Sequence, residues 1–359
     1  MIRLEHIKKS FDKQIAVQNL NIEIAKGEVF VLLGPTGAGK TTTLRLISGL
    51  EKPDQGRIYI DNEDITVAPP QSRNVAFVLE GLNLLPIYSV YDNIAFALRS
   101  PLYHENEDEI QSRIERVSKD LRIGHLLNRK PATLSGGEIQ RVAIARALVR
   151  KPKLYLFDEP LSNLDLKLRE ELRAELKELH EKSESTILYA THDYVGAVSI
   201  ANKIGILYEG KLHQVGSQTE LYANPSSTVV ATLMGNPAMN LLTVTRDGRR
   251  FYSEQNSRVY FELPDSAVNQ LDSENKGFLL GLWPEDIDIS LEPKDGFIKS
   301  QLYGQEYRGA DRIVSLRVGE EMIKKIVDSE FPGRYNDDCW FSYDPEKVYL
   351  FDTSTGYRI

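Results

Sequence analysis

Residues Gly34 to Thr41, reading Gly-Pro-Thr-Gly-Ala-Gly-Lys-Thr, have the composition and spacing of a loop that cradles nucleotide phosphates. Gly34, Gly37 and Gly39 let the backbone turn tightly and bring its N–H groups against phosphate oxygens, with Pro35, Thr36 and Ala38 between them. Lys40 has the reach for β and γ phosphates, and the Thr41 hydroxyl suits a magnesium ion that keeps most of its waters. An apolar run, 29–33, precedes this loop, and a helix-like run begins at Thr42. The order strand, loop, helix puts a helix N-terminus at the anion. Alone, the loop names only a broad class of kinases, GTPases, motors and pumps.

Further segments narrow that class. Leu134-Ser-Gly-Gly-Glu138 opens an Ala-rich helical run, so Ser135, Gly136 and Gly137 offer a hydroxyl and free N–H groups at a helix start. Lys153 to Pro160 is a buried-strand pattern ending in two adjacent acids, Asp158 and Glu159, an arrangement suited to holding magnesium and activating water. Ser162-Asn-Leu-Asp165 follows it. A second strand-like run, 186–191, delivers His192 and Asp193 at its end.

In this order the segments resemble the ATPase subunit of an ABC transporter: phosphate loop, signature, magnesium strand, aspartate loop and switch histidine. Residues 235–242, 281–287 and 344–352 resemble the regulatory domain of maltose-type and related solute importers. The resemblance implies an α/β P-loop ABC ATPase domain over residues 1–235, with a RecA-like core and a helical subdomain at about 88–150. An all-β, OB-like regulatory domain would follow over 236–359.

It also implies roles. Phe11 would stack on adenine, Gly34 through Thr42 would bind ATP, and Thr41, Asp158 and residue 80 would serve Mg2+. Glu159 would polarise the attacking water and His192 would touch the γ phosphate. Ser135, Gly136, Gly137 and Glu138 would clasp the ATP of a second ATPase subunit, in a homo- or heterodimer. Two transmembrane permease subunits and an extracytoplasmic solute-binding protein would complete the complex, and Leu82 to Tyr91 is the candidate dock for the permease. The expected cargo is a carbohydrate or polyol; a polyamine or an inorganic ion is the alternative.

Three positions depart from the family pattern. Glu80 stands where the family places glutamine, adding a carboxylate near the γ phosphate, which leaves a homodimer with two working sites and an asymmetric pair with a second, different ATPase both open. Glu138 replaces glutamine in the signature, and Trp283 stands where related importers often carry arginine.

Composition agrees with these expectations. At 359 residues two domains are expected, and a net charge of −8 argues against nucleic acid as a partner. No apolar stretch approaches the ~20 residues needed to cross a bilayer. Charges near Met1 replace the apolar block of a secretion signal, so a peripheral protein at the cytoplasmic face of the cell (inner) membrane is expected. Neither two fused nucleotide domains nor a long coiled coil appears, as ABC ATPases acting on ribosomes or DNA should show. An Asn-Lys-x-Asp segment to read guanine is missing too.

Periodicity fills in the rest. Residues 107–123 read as an amphipathic helix with a solvated acidic cap, and Leu166, Leu168, Leu172, Leu176 and Leu179 as the stripe of another. Residues 216–239 read as a linker. From Asn240 onward, short β-type runs alternate with turns, as in a small barrel or sandwich. The single cysteine, Cys339, reads as a core residue.

Overall fold

The structure, a computed structural model, describes residues 1–79, 84–100, 105–162, 164–255, 259–268, 271 and 277–359. The chain divides into two compact units, Met1–Gln218 and Thr219–Ile359.

Alternating apolar residues give the first unit its opening strands, β1 (Ile2–Phe11) and β2 (Gln14–Ile24), while a continuous apolar run gives the fully buried β3 (Val29–Leu33). Then follow α1 (Lys40–Ser48), β4 (Gln55–Ile60), the short β5 (Glu63–Asp64), β6 (Val75–Val78), α2 (Val90–Ala95), α3 (Glu107–Asp120) and α4 (Gly136–Leu148). The remainder is β7 (Leu154–Asp158), α5 (Leu166–Ser183), β8 (Ile187–Thr191), α6 (Tyr194–Ile200), β9 (Lys203–Tyr208) and β10 (Lys211–Gly216). One antiparallel sheet runs β2-β1-β4-β5; a second runs β10-β9-β3-β8-β7-β6 and is parallel from β9 to β6. Their common core joins Ile22, Phe30, Leu44, Leu156 and Leu188. Because β3, β7 and β8 are adjacent and parallel, Gly34, Asp158 and His192 emerge at one sheet edge. Such an edge is where open α/β sheets bind ligands.

Sequence expectations meet three corrections, the last of them mostly beyond Gln218. The acidic start of α3 is not simply solvated: Asn106 caps the helix, Glu107 pairs with Arg99 at 2.8 Å and Glu105 with Arg113 at 2.7 Å. In α5, Leu172 and Leu176 are buried but Leu166 is 67% exposed, outside the stripe; the Leu179 side chain lies outside the described residues. Residues 216–239 carry two short helices, α7 (Gln218–Ala223) and α8 (Thr228–Leu233), whose Leu221, Val230 and Ala231 are buried, so this stretch is packed structure.

Beyond those helices, and a third, α9 (Asp265–Val268), the second unit is built mainly of strands. Strands β11 (Asn240–Asp247), β12 (Arg250–Ser253), β13 (Tyr260–Glu262), β14 (Gly277–Leu282) and β20 (Tyr349–Asp352) form a sheet ordered β13-β12-β11-β14-β20. Strands β15 (Ile287–Ser290), β16 (Ile298–Tyr307), β17 (Asp311–Val318), β18 (Glu321–Asp328) and β19 (Asp338–Tyr343) form another, ordered β15-β19-β16-β17-β18. Their inner faces share a core containing Phe251, Phe278, Leu316, Phe341 and Cys339, which is buried as expected. Trp283, which stands where related importers often carry arginine, is fully buried and stacks on Tyr222 at 4.0 Å between ring centroids.

Candidate functional site

The phosphate loop takes its shape from two glycines that tolerate no side chain. A Cβ on Gly34 would lie 2.0 Å from the Leu207 carbonyl oxygen; one on Gly39, which has φ +102°, would lie 2.4 Å from that of Ala16. Gly39 is the N-cap of α1, so the helix begins at Lys40. The Lys40 ammonium is buried; it donates to the carbonyls of Gly34 at 2.8 Å and Pro35 at 3.0 Å and faces Glu159 Oε1 at 3.4 Å.

Asp158 and Glu159 diverge although adjacent. Asp158 closes β7, is 1% exposed, and accepts the Thr41 hydroxyl at 3.1 Å. Glu159 follows the strand with φ +46°, a conformation unusual for a side chain of its size, which turns its carboxylate toward Lys40 and the end of β8. There Thr191 donates to its Oε2 at 3.3 Å and His192 Nδ1 lies 2.9 Å from its Oε1. One carboxylate is thus met by an ammonium, a hydroxyl and an imidazole.

Thr41 and Asp158 bring two hard oxygens together beside the start of α1. Magnesium takes one or two protein oxygens together with substrate phosphates, so this donor pair fits it. Among the described residues no cluster of three His, Cys, Asp or Glu could hold a metal. Glu80, the third expected metal residue, lies outside the described residues.

Around these groups runs a cleft of about 330 Å³, lined by Phe11, Thr36, Gly37, Gly39, Lys40, Thr41, Thr42, Glu159 and His192. Phe11, 43% exposed, lies at its rim with the Lys9 ammonium 5.1 Å from the ring centroid. Of the expected nucleotide residues, these are gathered in one place. Gln14, Ile15 and Ala16, at the start of β2, also line the cleft and were not anticipated. Neither was Thr191; a hydroxyl at the strand end beside His192 was the available signal.

Ser135, Gly136, Gly137 and Glu138 are not among the lining residues. They form a capping box at the start of α4: Glu138 Oε2 accepts the Ser135 N–H at 2.7 Å and Ser135 Oγ accepts the Glu138 N–H at 3.3 Å. The backbone N–H of Ser135, chiefly, holds the Glu138 carboxyl below its usual range. A Cβ on Gly137 would meet Leu168 at 2.4 Å, while one on Gly136 would meet nothing within 4 Å. The aspartate loop is held from behind: Arg169 donates to the carbonyls of Ser162 at 3.2 Å and Leu164 at 3.1 Å, and Asp165 caps α5. Asn163, and the Glu80 to Asn83 part of the expected glutamine-loop and docking region, lie outside the described residues. The rest of that dock exposes Ile87 by 72%.

Comparison with known proteins gives the family. A family model described as ABC transporter matches residues 17–162. The trehalose/maltose import ATP-binding protein MalK of Thermococcus litoralis is 40% identical, over 100% of this chain and 99% of the relative. The sn-glycerol-3-phosphate import ATP-binding protein UgpC of Pectobacterium atrosepticum is 36% identical, over 100% and 99%. Among solved structures, the dimeric structure of MJ0796, a bacterial ABC transporter cassette, superposes with a TM-score of 0.56 at 32% identity, covering 60% of this chain and 98% of that one. A post-hydrolysis dimer of MJ0796 bound to ADP and Pi gives 0.54 at 31% identity, over 60% and 98%.

Proposed function

We infer the work of this chain from its family, since it belongs to the ATP-binding proteins of ABC transporters and is an ATPase that powers solute import. The observation that carries the reading at the residue level is the Glu159 carboxylate, set in the cleft between Lys40 at 3.4 Å and His192 at 2.9 Å. ATP lies along Gly34 to Thr42 with its base against Phe11. The loop N–H groups and Lys40 draw charge from the β and γ phosphates. Thr41 and Asp158 would hold a magnesium ion bound with ATP, and that ion would neutralise phosphate charge. Glu159 orients the attacking water and accepts its proton, and His192 holds the γ phosphate and steadies Glu159.

Ser135 to Glu138 stand outside this cleft and serve the nucleotide of a second ATPase subunit, so each ATP is shared between two chains. The likeness to a dimeric cassette supports that reading. Among the described residues no helix is long and apolar enough to cross a membrane, so we assign transport to two permease subunits bound at the cytoplasmic face, supplied by a solute-binding protein. Residues 1–235 form the ATPase domain in this scheme, and 236–359 the regulatory domain. Full-length likeness to trehalose/maltose and sn-glycerol-3-phosphate import proteins supports a carbohydrate or polyol cargo over a polyamine or an inorganic ion.

The test is ATP hydrolysis by the purified complex in the presence of its binding protein and a panel of solutes. Stimulation by a sugar, a polyol or its phosphate ester is expected; stimulation by polyamines or inorganic ions alone would end the cargo assignment. Counting distinct ATPase chains in the same complex decides between a homodimer and a mixed pair.

A further inference from the structure

The nucleotide cleft uses one end of β3, β7 and β8; the opposite end of the same strands opens on a second cleft, of about 640 Å³. Its basic lining is Lys26, Arg116, Lys151, Lys153 and Lys182, against two carboxylates, Asp61 and Glu184. In a chain whose net charge is −8, such a concentration of cations departs sharply from the average surface.

Partners divide these cations into two groups. Lys153 pairs with Asp61 at 3.1 Å and Lys182 with Glu178 at 2.6 Å. Lys26, Arg116 and Lys151 form no ion pair among the described residues, and all three are exposed. They come from three separate elements: the turn before β3, the helix α3, and the turn after α4. The cleft is lined as well by Ser185 and Thr186, and Thr186 Oγ1 accepts the Gly27 N–H at 3.0 Å, tying the approach to β8 to the turn that carries Lys26. Convergence of unpaired cations from distant parts of the sequence makes a concave positive surface, which draws in anions and strengthens their binding. A guanidinium grips phosphate through paired N–H groups, and lysines act as point charges beside it.

We propose that this cleft is a binding site for a small anion carrying two or more phosphate groups, distinct from the ATP site and lying at the other end of the strands that bear Gly34, Asp158 and His192. Three unpaired cations exceed what a single phosphate can neutralise, and the volume lies within the range of ordinary small-molecule sites. Occupancy is independent of the transported solute. It therefore stands or falls separately from the cargo assignment.

The experiment titrates inorganic tripolyphosphate into the full chain carrying Lys40→Ala, which weakens the phosphate loop, and follows binding by calorimetry. A saturable site is expected. Adding Lys26→Glu and Lys151→Glu should raise its Kd at least about tenfold, since two nearby attractions become repulsions, while Lys26→Arg with Lys151→Arg should restore it. ATP hydrolysis by the chain with intact Lys40 should survive both pairs of substitutions, which shows that the fold is kept. Absence of a saturable site in the Lys40→Ala chain, or a charge reversal that leaves Kd and stoichiometry unchanged, overturns the proposal.

Discussion

His192 Nδ1 stands 2.9 Å from Glu159 Oε1, the same oxygen that faces the Lys40 ammonium at 3.4 Å. A base held on two sides has its orientation fixed before the water arrives. Glu159→Gln preserves shape and hydrogen bonding but removes proton acceptance, so hydrolysis should fall by about 10²–10⁴-fold with ATP affinity retained. His192→Ala should cost about 10²-fold, the usual loss for one transition-state contact. Single-turnover hydrolysis together with fluorescent nucleotide binding measures both; normal turnover in the Gln variant would remove Glu159 from the role.

Gly136 offers a sharper probe of the two-chain site than Ser135. Within one chain, Ser135 caps α4, so Ser135→Ala should cost about 1 kcal/mol of stability whatever its part in catalysis. An alanine at position 136 meets nothing within 4 Å and stands at the first position of a helix, where it does not disfavour folding. Gly136→Ala should therefore melt at the parent temperature yet lose most of its hydrolysis, because only a partner's nucleotide would meet the added methyl. Full activity in that variant would detach the signature segment from the partner's ATP.

What could be read from the sequence was the chemistry written in consecutive residues. The phosphate loop, the Asp158 and Glu159 pair and the helix start at Ser135 each lie within a few residues, and local backbone rules decide their form. Supports drawn from far along the chain could not be read. Thr191 reaches Glu159 across 32 positions and Arg73 reaches Leu46 across 27. Only the order of the sheet brings them together. The burial of Trp283 could not be read for a related reason: nothing in the residues around it shows that Tyr222, 61 positions away, stacks over it. Residues 216–239 hid their helices because each has only six residues, too few for periodicity to show.

The capping box should respond to acid. Glu138 is held below the usual carboxylate range, first by the Ser135 backbone N–H, so its folded form binds protons less readily than the unfolded chain. For a depressed acid the stabilisation is complete above the unfolded pKa, near 4.3, and disappears as pH falls through the lower folded value. Glu138→Gln keeps the hydrogen-bonding shape without the titration. Thermal unfolding of the parent should thus lose ground relative to this variant below about pH 4 and run parallel to it at neutrality. Parallel curves throughout the acid range would show that the carboxylate carries no part of the cap.

Arg73 fastens the far end of the phosphate-loop helix. The residue is 3% exposed, and its guanidinium donates to the carbonyls of Leu46 at 2.8 Å and Ile47 at 2.9 Å, at the C-terminal end of α1, and to Ala68 at 2.9 Å and Thr66 at 3.2 Å. A cation at a helix C-terminus is favoured by the dipole, and here it also satisfies carbonyls that the helix leaves open. Gly49 adopts φ +81°, which favours glycine, and a Cβ there would also meet the Arg73 Nε at 2.6 Å. Arg73→Ala deprives four carbonyls of a donor in a place of limited access for water, so a loss of about 3 kcal/mol is expected. That corresponds to a fall of roughly 6–12 °C in the melting of a domain this large. Arg73→Lys should recover only part of it, because an ammonium has three donors and cannot span both the helix end and the 66–68 turn. Differential scanning calorimetry of the three proteins decides the matter: an Ala variant melting within 2 °C of the parent would mean that α1 is held by its apolar face alone.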